Sequence, residues 1–203
     1  MGGQVECQAY TKEKVPAPGG GFTYYYTWRK YYRVAKPLGV MAYGTDNGKM
    51  LWESERFRRD ITNAFPSGNS LIIASGKALY SLDVKTGKDN YEVPLGDDNI
   101  GLAQKIIDYK DRVLVVGEKG VASHNKSDGK MVTSSKYKTA DFAGMYGTSL
   151  MMQTDKEDIA VFDVETCKYK QYNARSGATS RLSDDGEFVY VWDKKDLVKL
   201  STK

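Results

Sequence analysis

The sequence has few of the residues on which metal and redox chemistry depend. Its 203 residues include one histidine, His124, and two cysteines, Cys7 and Cys167, which lie far apart in the chain. This scarcity argues against a zinc site built from several cysteine and histidine ligands and against a disulfide framework. We expect two free thiols, because a bridge would require the N-terminus to fold back against the region around Cys167.

Long apolar runs and helical patterns are also missing. No run approaches the roughly 18 apolar residues of a membrane-spanning helix, and no stretch holds a helical period over several turns. The first residues, Met1-Gly2-Gly3-Gln4-Val5-Glu6, have neither the basic start nor the apolar core of a signal peptide. The sequence therefore predicts an all-β protein with no membrane span and no secretion signal of its own.

A strong excess of one charge is absent too. Thirty basic and 26 acidic residues give a formal net charge of +4. This indicates a mixed surface and not the concentrated basic field of a nucleic-acid-binding protein. We therefore expect no nucleic-acid partner.

What the chain does contain is an internal repeat of about forty residues. A short apolar strand recurs five times, and in the first four copies a polar turn and a lysine follow it. Equivalent turn positions are 39 residues apart from Gly48 to Gly87, 42 from Gly87 to Gly129 and 38 from Gly129 to Cys167. One column is apolar in all five copies: Val40, Leu79, Val121, Ile159 and Leu197. Such a period, filled with short strands, is the signature of a β-propeller.

Each copy has the parts of a four-stranded antiparallel blade. In the second copy a β-rich run at 70–74, a strand at 78–83 and a run at 90–93 are separated by glycine-containing turns. We therefore predict a β-propeller of about five such blades in one domain over residues 1–203. The repeats are expected near 23–57, 58–95, 96–138, 139–175 and 176–203.

The first residues and the last copy leave two arrangements open. The fifth copy lacks its outermost strand, and residues 4–10 alternate well enough to supply it. In that arrangement residues 1–14 close a five-bladed ring, which hides its sheet edges and is expected to be monomeric. Residues 15–22, rich in glycine and proline, would then be a flexible linker. In the other arrangement the chain is part of a larger ring.

The turn pattern resembles that of a known family. An apolar strand, Asp, two residues, Thr-Gly-Lys and a later aromatic residue are similar to the PQQ-like (pyrroloquinoline-quinone-type) β-propeller repeat. The best copy is at 82–91, and the positions that carry the resemblance are Gly48, Trp52, Asp83, Thr86, Gly87, Tyr91, Gly129 and Asp163. In that family the tryptophan packs between adjacent blades, which implies this role for Trp52 and, in the second copy, for Tyr91.

Two copies depart from the family pattern. The third has Thr133 where the aromatic residue is expected, and the fourth has Cys167 in place of glycine. The resemblance covers residues 31–203 and is specific for the architecture.

The resemblance implies a binding role and no cofactor. In repeat type the chain is similar to the outer-membrane assembly lipoprotein of the β-barrel insertion machinery, which has a larger ring. We therefore expect a non-enzymatic scaffold module that binds a protein partner. Two alternatives stay open: a propeller that senses a small molecule or carbohydrate, and a fragment of a PQQ-dependent quinoprotein dehydrogenase. The small ring and the lack of an adjacent cysteine pair disfavour the dehydrogenase. The family is often exported, which implies the cell envelope or periplasm.

One segment is the candidate binding surface. Aromatic side chains between residues 24 and 33 are interleaved with arginine and lysine, and such residues can stack on sugars or bases. The candidates are Tyr24, Tyr26, Trp28, Arg29, Tyr31 and Arg33. The alternative interpretation is two strands of the first blade, with tyrosine rings packed on their neighbours.

His124 and the acidic turns are expected to be structural. His124 aligns with apolar and aromatic residues of the other copies, which predicts a core histidine with a satisfied ring nitrogen and not a general base. The acidic stretches at 97–98, 155–158 and 184–187 are predicted to be solvated turns. A calcium site at 184–187 is the weaker alternative.

Overall fold

A computed structural model describes residues 4–34, 39–55, 57, 59–173, 177–193 and 196–202. These residues form nineteen β-strands and no helix, and none of them belongs to a helix that could cross a bilayer. The chain divides into two compact units, residues 1–37 and residues 38–203, where the sequence predicts one domain.

The N-terminal unit is a long antiparallel hairpin. Strand β1 (Gln4–Pro16) pairs with β2 (Phe22–Val34) at every position, from Gln4 opposite Val34 to Pro16 opposite Phe22. Residues 17–21 reverse the chain, and three of them are glycines with φ of +103°, +92° and +92°. Residues with a side chain rarely adopt a positive φ, so the three glycines permit this reversal of the chain.

This hairpin differs from the sequence-based prediction. Residues 4–10 do not add to the fifth repeat, because β1 lies in a two-stranded sheet with β2 in the described part of the chain. Residues 24–33 lie in a single strand and not in two strands of the first blade. Residues 15–22 are the two strand ends and their connection, not a flexible linker. A short connection joins neighbouring segments at little entropic cost, and strand alternation alone does not specify the partner.

The described residues of the second unit form five antiparallel sheets, which follow one another in chain order. Sheet 1 consists of β3 (Met41–Tyr43) and β4 (Met50–Glu53). Sheet 2 consists of β5 (Ile61–Ser67), β6 (Ser70–Ser75), β7 (Ala78–Asp83) and β8 (Asp89–Pro94). Sheet 3 consists of β9 (Ala103–Tyr109), β10 (Arg112–Gly117), β11 (Gly120–Asn125) and β12 (Met131–Lys136).

The remaining two sheets complete this unit. Sheet 4 consists of β13 (Asp141–Tyr146), β14 (Ser149–Gln153), β15 (Ile159–Asp163) and β16 (Tyr169–Tyr172). Sheet 5 consists of β17 (Thr179–Leu182), β18 (Phe188–Asp193) and β19 (Asp196–Ser201). Four-stranded antiparallel sheets are thus present in copies two, three and four. In the described residues, copies one and five have two and three strands.

The core lies between successive sheets. The apolar run of β10 is fully buried, and its residues alternate between two neighbours. Val113 and Val115 belong to a cluster shared with sheet 2, whereas Leu114 and Val116 belong to a cluster shared with sheet 4. A continuous apolar run is what a strand covered on both faces requires, so the central sheets are held by packing on either side.

Candidate functional site

The repeated turn has the same backbone geometry in four copies. The N–H of Asp83 donates to the carbonyl of Lys88 at 2.8 Å, and the N–H of Gly87 donates back to the carbonyl of Asp83 at 2.8 Å. The first of these bonds recurs between Gly44 and Lys49, Asn125 and Lys130, and Asp163 and Lys168. The glycine position of the turn has a positive φ in all four copies, from +55° to +71°.

The aspartate of the turn stabilises it in copies two and four. Asp83 Oδ1 accepts bonds from the Thr86 N–H at 2.8 Å and the Thr86 hydroxyl at 2.9 Å. Asp163 makes the same pair of bonds with Thr166 at 2.9 and 2.8 Å. These bonds, the hydroxyl of Thr86 first, lower the pKa of Asp83. The carboxylate is thus engaged in holding its own turn.

An aromatic ring lies on the turn glycine at the junction of sheets 1 and 2. Trp52 of β4 donates from Nε1 to the carbonyl of Val84 at 2.9 Å. A Cβ on Gly87 would lie only 2.4 Å from Cε3 of this ring, closer than real Cβ contacts come. The ring and the glycine therefore form one contact, which we call an aromatic clasp.

A second aromatic clasp joins sheets 2 and 3. A Cβ on Gly129 would lie 2.7 Å from Cε2 of the Tyr91 ring and 3.1 Å from Cγ1 of Val93. The Tyr91 hydroxyl is buried without a hydrogen-bond partner in the described structure. Burial, and after it the charge of Asp128, raises the pKa of Tyr91 to about 12.

The junction of sheets 3 and 4 is built differently. Thr133 stands where the ring would be, and its hydroxyl donates to the carbonyl of Thr166 at 3.2 Å. Cys167 stands where the glycine would be, with φ of +55° and no exposed surface. Its thiol is free, and burial is the largest effect that raises its pKa to about 11. The side chain of Cys167 is buried where a clasp has only a glycine hydrogen.

A polar cluster adds to this third junction. Glu165 accepts a hydrogen bond from the Tyr109 hydroxyl at 2.7 Å and forms an ion pair with Lys110. Arg112 donates to the backbone carbonyl of Glu165 at 3.2 Å. The bond from Lys110, followed by that from Tyr109, lowers the pKa of Glu165. Side chains of sheet 3 thereby bind the turn of sheet 4 directly.

His124 is a core residue with both ring nitrogens engaged. Nδ1 lies 2.9 Å from the carbonyl of Gly129, and Nε2 lies 2.8 Å from Oδ2 of Asp98, whose side chain is also buried. A carbonyl only accepts, so Nδ1 carries a proton. With no ring nitrogen left over, the arrangement ties the turn of sheet 3 to the loop before β9. The prediction of a solvated turn is wrong for Asp98.

The stretch at 155–158 bonds to two other loops, and the stretch at 184–187 bonds within its own loop. Asp158 pairs with Lys138 at 2.7 Å, and Glu157 accepts from the N–H of Ala178 at 2.8 Å. Asp185 accepts from the Ser183 hydroxyl and from the Glu187 N–H at 2.5 and 2.9 Å. Among the described residues no group of three or more histidine, cysteine, aspartate or glutamate side chains could hold a metal ion.

All six residues predicted to form a binding surface lie in β2 of the hairpin. Phe22, Tyr24, Tyr26 and Trp28 alternate along β2 and therefore share one face, and their exposed fractions are 61%, 47%, 50% and 67%. From β1, the Lys12 ammonium lies 3.9 Å from the centre of the Tyr24 ring, and that of Lys14 lies 4.0 Å from the centre of the Phe22 ring. We call these six residues the aromatic face.

Sequence reasoning placed only part of this surface. The two lysines were not among the candidates, because only the pairing of β1 with β2 brings them beside the tyrosines. Phe22 was not among them either, although it alternates with Tyr24 along the same strand. Of the other candidates, Arg29, Tyr31 and Arg33 lie further along β2, and their side chains are outside the described part of the molecule.

The formal net positive charge of the protein comes from this first unit. Residues 1–37 contain six basic and two acidic residues, whereas residues 38–203 contain 24 of each. The formal net charge of +4 is therefore that of the hairpin unit alone. A mixed, neutral unit and a basic aromatic one are joined in one chain.

Comparison with known proteins identifies the fold. No family model and no curated protein matches the chain. Among solved structures, the computationally designed Ika8 protein matches with a TM-score of 0.59 and 16% identity, over 83% of this chain and 54% of Ika8. The computationally designed Ika4 protein matches with a TM-score of 0.54 and 14% identity, over 77% of this chain and 99% of Ika4. The chain has a β-propeller-like fold. The match spans about half the length of Ika8.

A natural protein is also among the matches. BamB from Moraxella catarrhalis matches with a TM-score of 0.39 and 11% identity, over 82% of this chain and 68% of BamB. At these identities the likeness to the designed proteins concerns the β-propeller-like fold and not activity.

Proposed function

We propose that this chain is a non-catalytic scaffold module, related to the PQQ-like propellers, that binds a protein partner through the aromatic face of its hairpin. The observation that carries the proposal is the exposure of Phe22, Tyr24, Tyr26 and Trp28 side by side. Contiguous apolar surface of this kind is typical of protein interaction sites, and tyrosine and tryptophan are enriched among the residues that dominate binding energy.

The architecture of the hairpin supports the same role. A two-stranded hairpin is marginally stable by itself in water, yet both strands of this one run for thirteen residues. A partner that covers the aromatic face would bury the rings and stabilise the hairpin. The β-propeller-like unit would then be the scaffold to which this element is joined in the chain.

Charge specifies the chemistry of the partner. Lys12 and Lys14 lie over the rings of the aromatic face, and the unit has a surplus of basic residues. Complementary charge steers association and fixes orientation. We therefore propose a partner that presents carboxylates around an apolar patch.

Two observations support a non-enzymatic role and the family relationship. His124, the sole histidine, has both ring nitrogens engaged in core hydrogen bonds. The Asp-Thr-Gly turn and the tryptophan that lies on it reproduce the arrangement that the PQQ-like repeat implies.

The test is capture and reconstitution with matched variants of the full chain. The wild type and the triple variant Tyr24→Ala/Tyr26→Ala/Trp28→Ala are used as baits, and each captured protein is then purified and titrated by calorimetry. We expect a partner whose affinity falls at least about tenfold in the triple variant, since aromatic anchors are each worth about 1 kcal/mol or more. Affinity should also fall with added salt.

The matched control is Tyr43→Ala, which removes another exposed aromatic residue, from sheet 1. It should bind as the wild type does. A partner that binds the triple variant with unchanged affinity, while thermal unfolding of the variant is normal, would show that the aromatic face is not the binding site.

A further inference from the structure

A polar groove lies at the junction of sheets 2 and 3. It has a volume of about 490 Å³, within the range of roughly 300–1,000 Å³ typical of small-ligand sites. Its walls are the turns that join β5 to β6, β7 to β8, β9 to β10 and β11 to β12. The lining residues whose side chains matter below are Ser67, Ser70, Ser81, Asn90, Asp111 and Ser127.

The groove exists because small residues line it. The junction of sheets 3 and 4, where the equivalent residues are large, shows the difference. In the pairing of β5 with β6, Ser67 faces Ser70, and in the pairing of β9 with β10, Tyr109 faces Arg112. Ser67 and Ser70 are therefore the counterparts of Tyr109 and Arg112, and Ser127 is the counterpart of Glu165 because each lies two residues before its turn position.

The consequence is a difference in space between the two junctions. At sheets 3 and 4 the large side chains Tyr109 and Arg112 bind Glu165 across the junction. At sheets 2 and 3 serines stand at all three positions, and Gly68 replaces Lys110. The contact that closes one junction is thus missing from the other, and a groove takes its place.

The groove is lined by neutral hydrogen-bonding groups. Asn90 donates from its amide nitrogen to the hydroxyls of Ser70 and Ser81, at 3.0 and 3.3 Å. Ser81 is buried, so this end of the groove is held in place by the sheet. Hydroxyls and amides both donate and accept, which suits a ligand that also does both.

The charges of the groove do not favour an ion. Lys126 is bound by the carboxylate of Asp108 and by the carbonyl of Lys110, so its charge is compensated. The Asp83 carboxylate is engaged by its own turn. Asp111 is 81% exposed, with Oδ1 4.0 Å from Nε of Arg112, and its carboxylate can accept hydrogen bonds at the rim. An anion would meet these two carboxylates, whereas a sugar hydroxyl would donate to Asp111.

A second groove of about 860 Å³ has a different character. Glu55, Asp89 and Glu92 line it together with Arg59 and Lys77. Burial first, and then the charges of Glu92 and Glu55, raise the pKa of Asp89. Mixed charges of this kind specify no single class of ligand.

We propose that the groove at the junction of sheets 2 and 3 binds an uncharged carbohydrate of one or two sugar units. The site lies within residues 38–203 and does not depend on the aromatic face. A carbohydrate site here and a protein-binding hairpin can therefore be tested and lost separately.

The experiment is saturation-transfer NMR followed by titration of the full chain. The probes are glucose, galactose, mannose, N-acetylglucosamine, cellobiose and maltose, each at up to about 10 mM, with glucose 6-phosphate as the charged comparison. We expect at least one neutral sugar to bind and glucose 6-phosphate to bind more weakly than glucose. The double variant Ser67→Tyr/Ser127→Glu, which copies the closed junction, should weaken binding at least about tenfold.

Two further variants keep the result interpretable. Asp184→Ala removes an exposed carboxylate outside the groove and should bind within about twofold of the wild type, whereas Asp111→Ala removes an exposed acceptor at the rim and should bind about fivefold more weakly. The proposal is overturned if no neutral sugar of the set binds. It is also overturned if the folded double variant, or Asp111→Ala where the double variant does not fold, binds as tightly as the wild type.

Discussion

Two junctions of the β-propeller-like unit achieve the same contact by opposite means. Between sheets 1 and 2 a large ring, Trp52, lies on a residue with no side chain, Gly87. Between sheets 3 and 4 the ring position holds a small residue, Thr133, which donates to the Thr166 carbonyl, and the glycine position holds the buried side chain of Cys167. The side chain at the ring position is smaller and the one at the glycine position is larger, and a close-packed junction tolerates neither a clash nor a void. The two departures from the repeat are therefore predicted to be linked.

Placing Cys167 at the turn position costs conformational energy that glycine does not cost. Cys167 keeps the turn conformation of the glycines, with φ of +55° against +71° at both Gly87 and Gly129. A side chain in this region costs about 1–2 kcal/mol. Burial of the thiol, and the ion pair and hydrogen bonds of Glu165 nearby, offset that cost. The clasps need no such compensation.

The largest effect is expected from adding one methyl group to a clasp. Gly87→Ala should lower the free energy of unfolding by about 3 kcal/mol or more, because the new Cβ meets the Trp52 ring and adopts an unfavourable φ. Equilibrium unfolding in urea, followed by circular dichroism, measures this difference.

Gly48→Ala is the matched control for that experiment. Gly48 is the same turn position in the first copy, with φ of +66°, but no atom lies within 4 Å of its added Cβ. Only the backbone term of about 1 kcal/mol should remain. Equal losses in the two variants would mean that the clasp contributes nothing beyond the conformation of the turn.

Removing the Trp52 ring should lower the free energy of unfolding nearly as much as Gly87→Ala does. Trp52→Ala is expected to destabilise the protein by about 3 kcal/mol, and Trp52→Phe by about 1 kcal/mol through loss of the bond to the Val84 carbonyl. The double variant Gly87→Ala/Trp52→Ala should lose less than the two single losses combined, because the clash is gone. Additive losses in urea unfolding would contradict the contact.

Tyr91→Phe tests whether a polar group of the ring also contributes to stability at the second clasp. The Tyr91 hydroxyl is buried with no partner in the described structure, so its removal should leave stability unchanged or slightly raised. A loss of about 1 kcal/mol, like that of Trp52→Phe, would indicate a hydrogen bond to the hydroxyl.

Converting the third junction into a clasp tests whether its two departures are linked. Thr133→Trp alone should destabilise by about 2 kcal/mol through its clash with Cys167, and Cys167→Gly alone by about 1 kcal/mol through the cavity that it leaves. Together they should show a favourable coupling of about 1 kcal/mol or more. Urea unfolding of the four proteins completes the cycle, and zero coupling would show that the positions vary independently.

Much of the propeller-like unit could be predicted from the sequence because its signals are local and repeated. The apolar runs and glycine turns of copies two, three and four predict the four-stranded sheets that the structure contains. The hairpin could not be predicted in the same way. Strand alternation at residues 4–10 fixes a strand but not its partner, and the pairing with β2 depends on a glycine-rich connection that resembles a linker.

The candidate sites were less predictable, since they depend on which side chains become neighbours. Tyr24, Tyr26 and Trp28 are evident from composition, but Lys12 and Lys14 join them only through the register of the hairpin. Asp98 looks like a turn residue until the fold places it against His124. The groove is recognised only when the serines of one junction are compared with the large side chains of the next, so one repeat alone does not reveal it.

A small effect is expected from the ion pair between Lys110 and Glu165 at the third junction. The bonds from Lys110 and Tyr109 hold the pKa of Glu165 below its ordinary value of 4.5. A carboxyl whose pKa is lower in the folded state stabilises above the unfolded value, and this contribution is lost as the pH falls through the folded value. The stability difference between the wild type and Glu165→Gln should therefore be present at pH 7 and fade below about pH 4.

The pair is largely exposed, with side-chain exposures of 63% for Lys110 and 37% for Glu165, so added salt should reduce the same difference. Ser127→Glu at the second junction is the matched control. It supplies a carboxylate where Gly68 replaces the lysine, so it should add no comparable stabilisation at pH 7. Urea unfolding at the two pH values measures both variants. A difference for Glu165→Gln that is independent of pH would assign the contact to packing and not to charge.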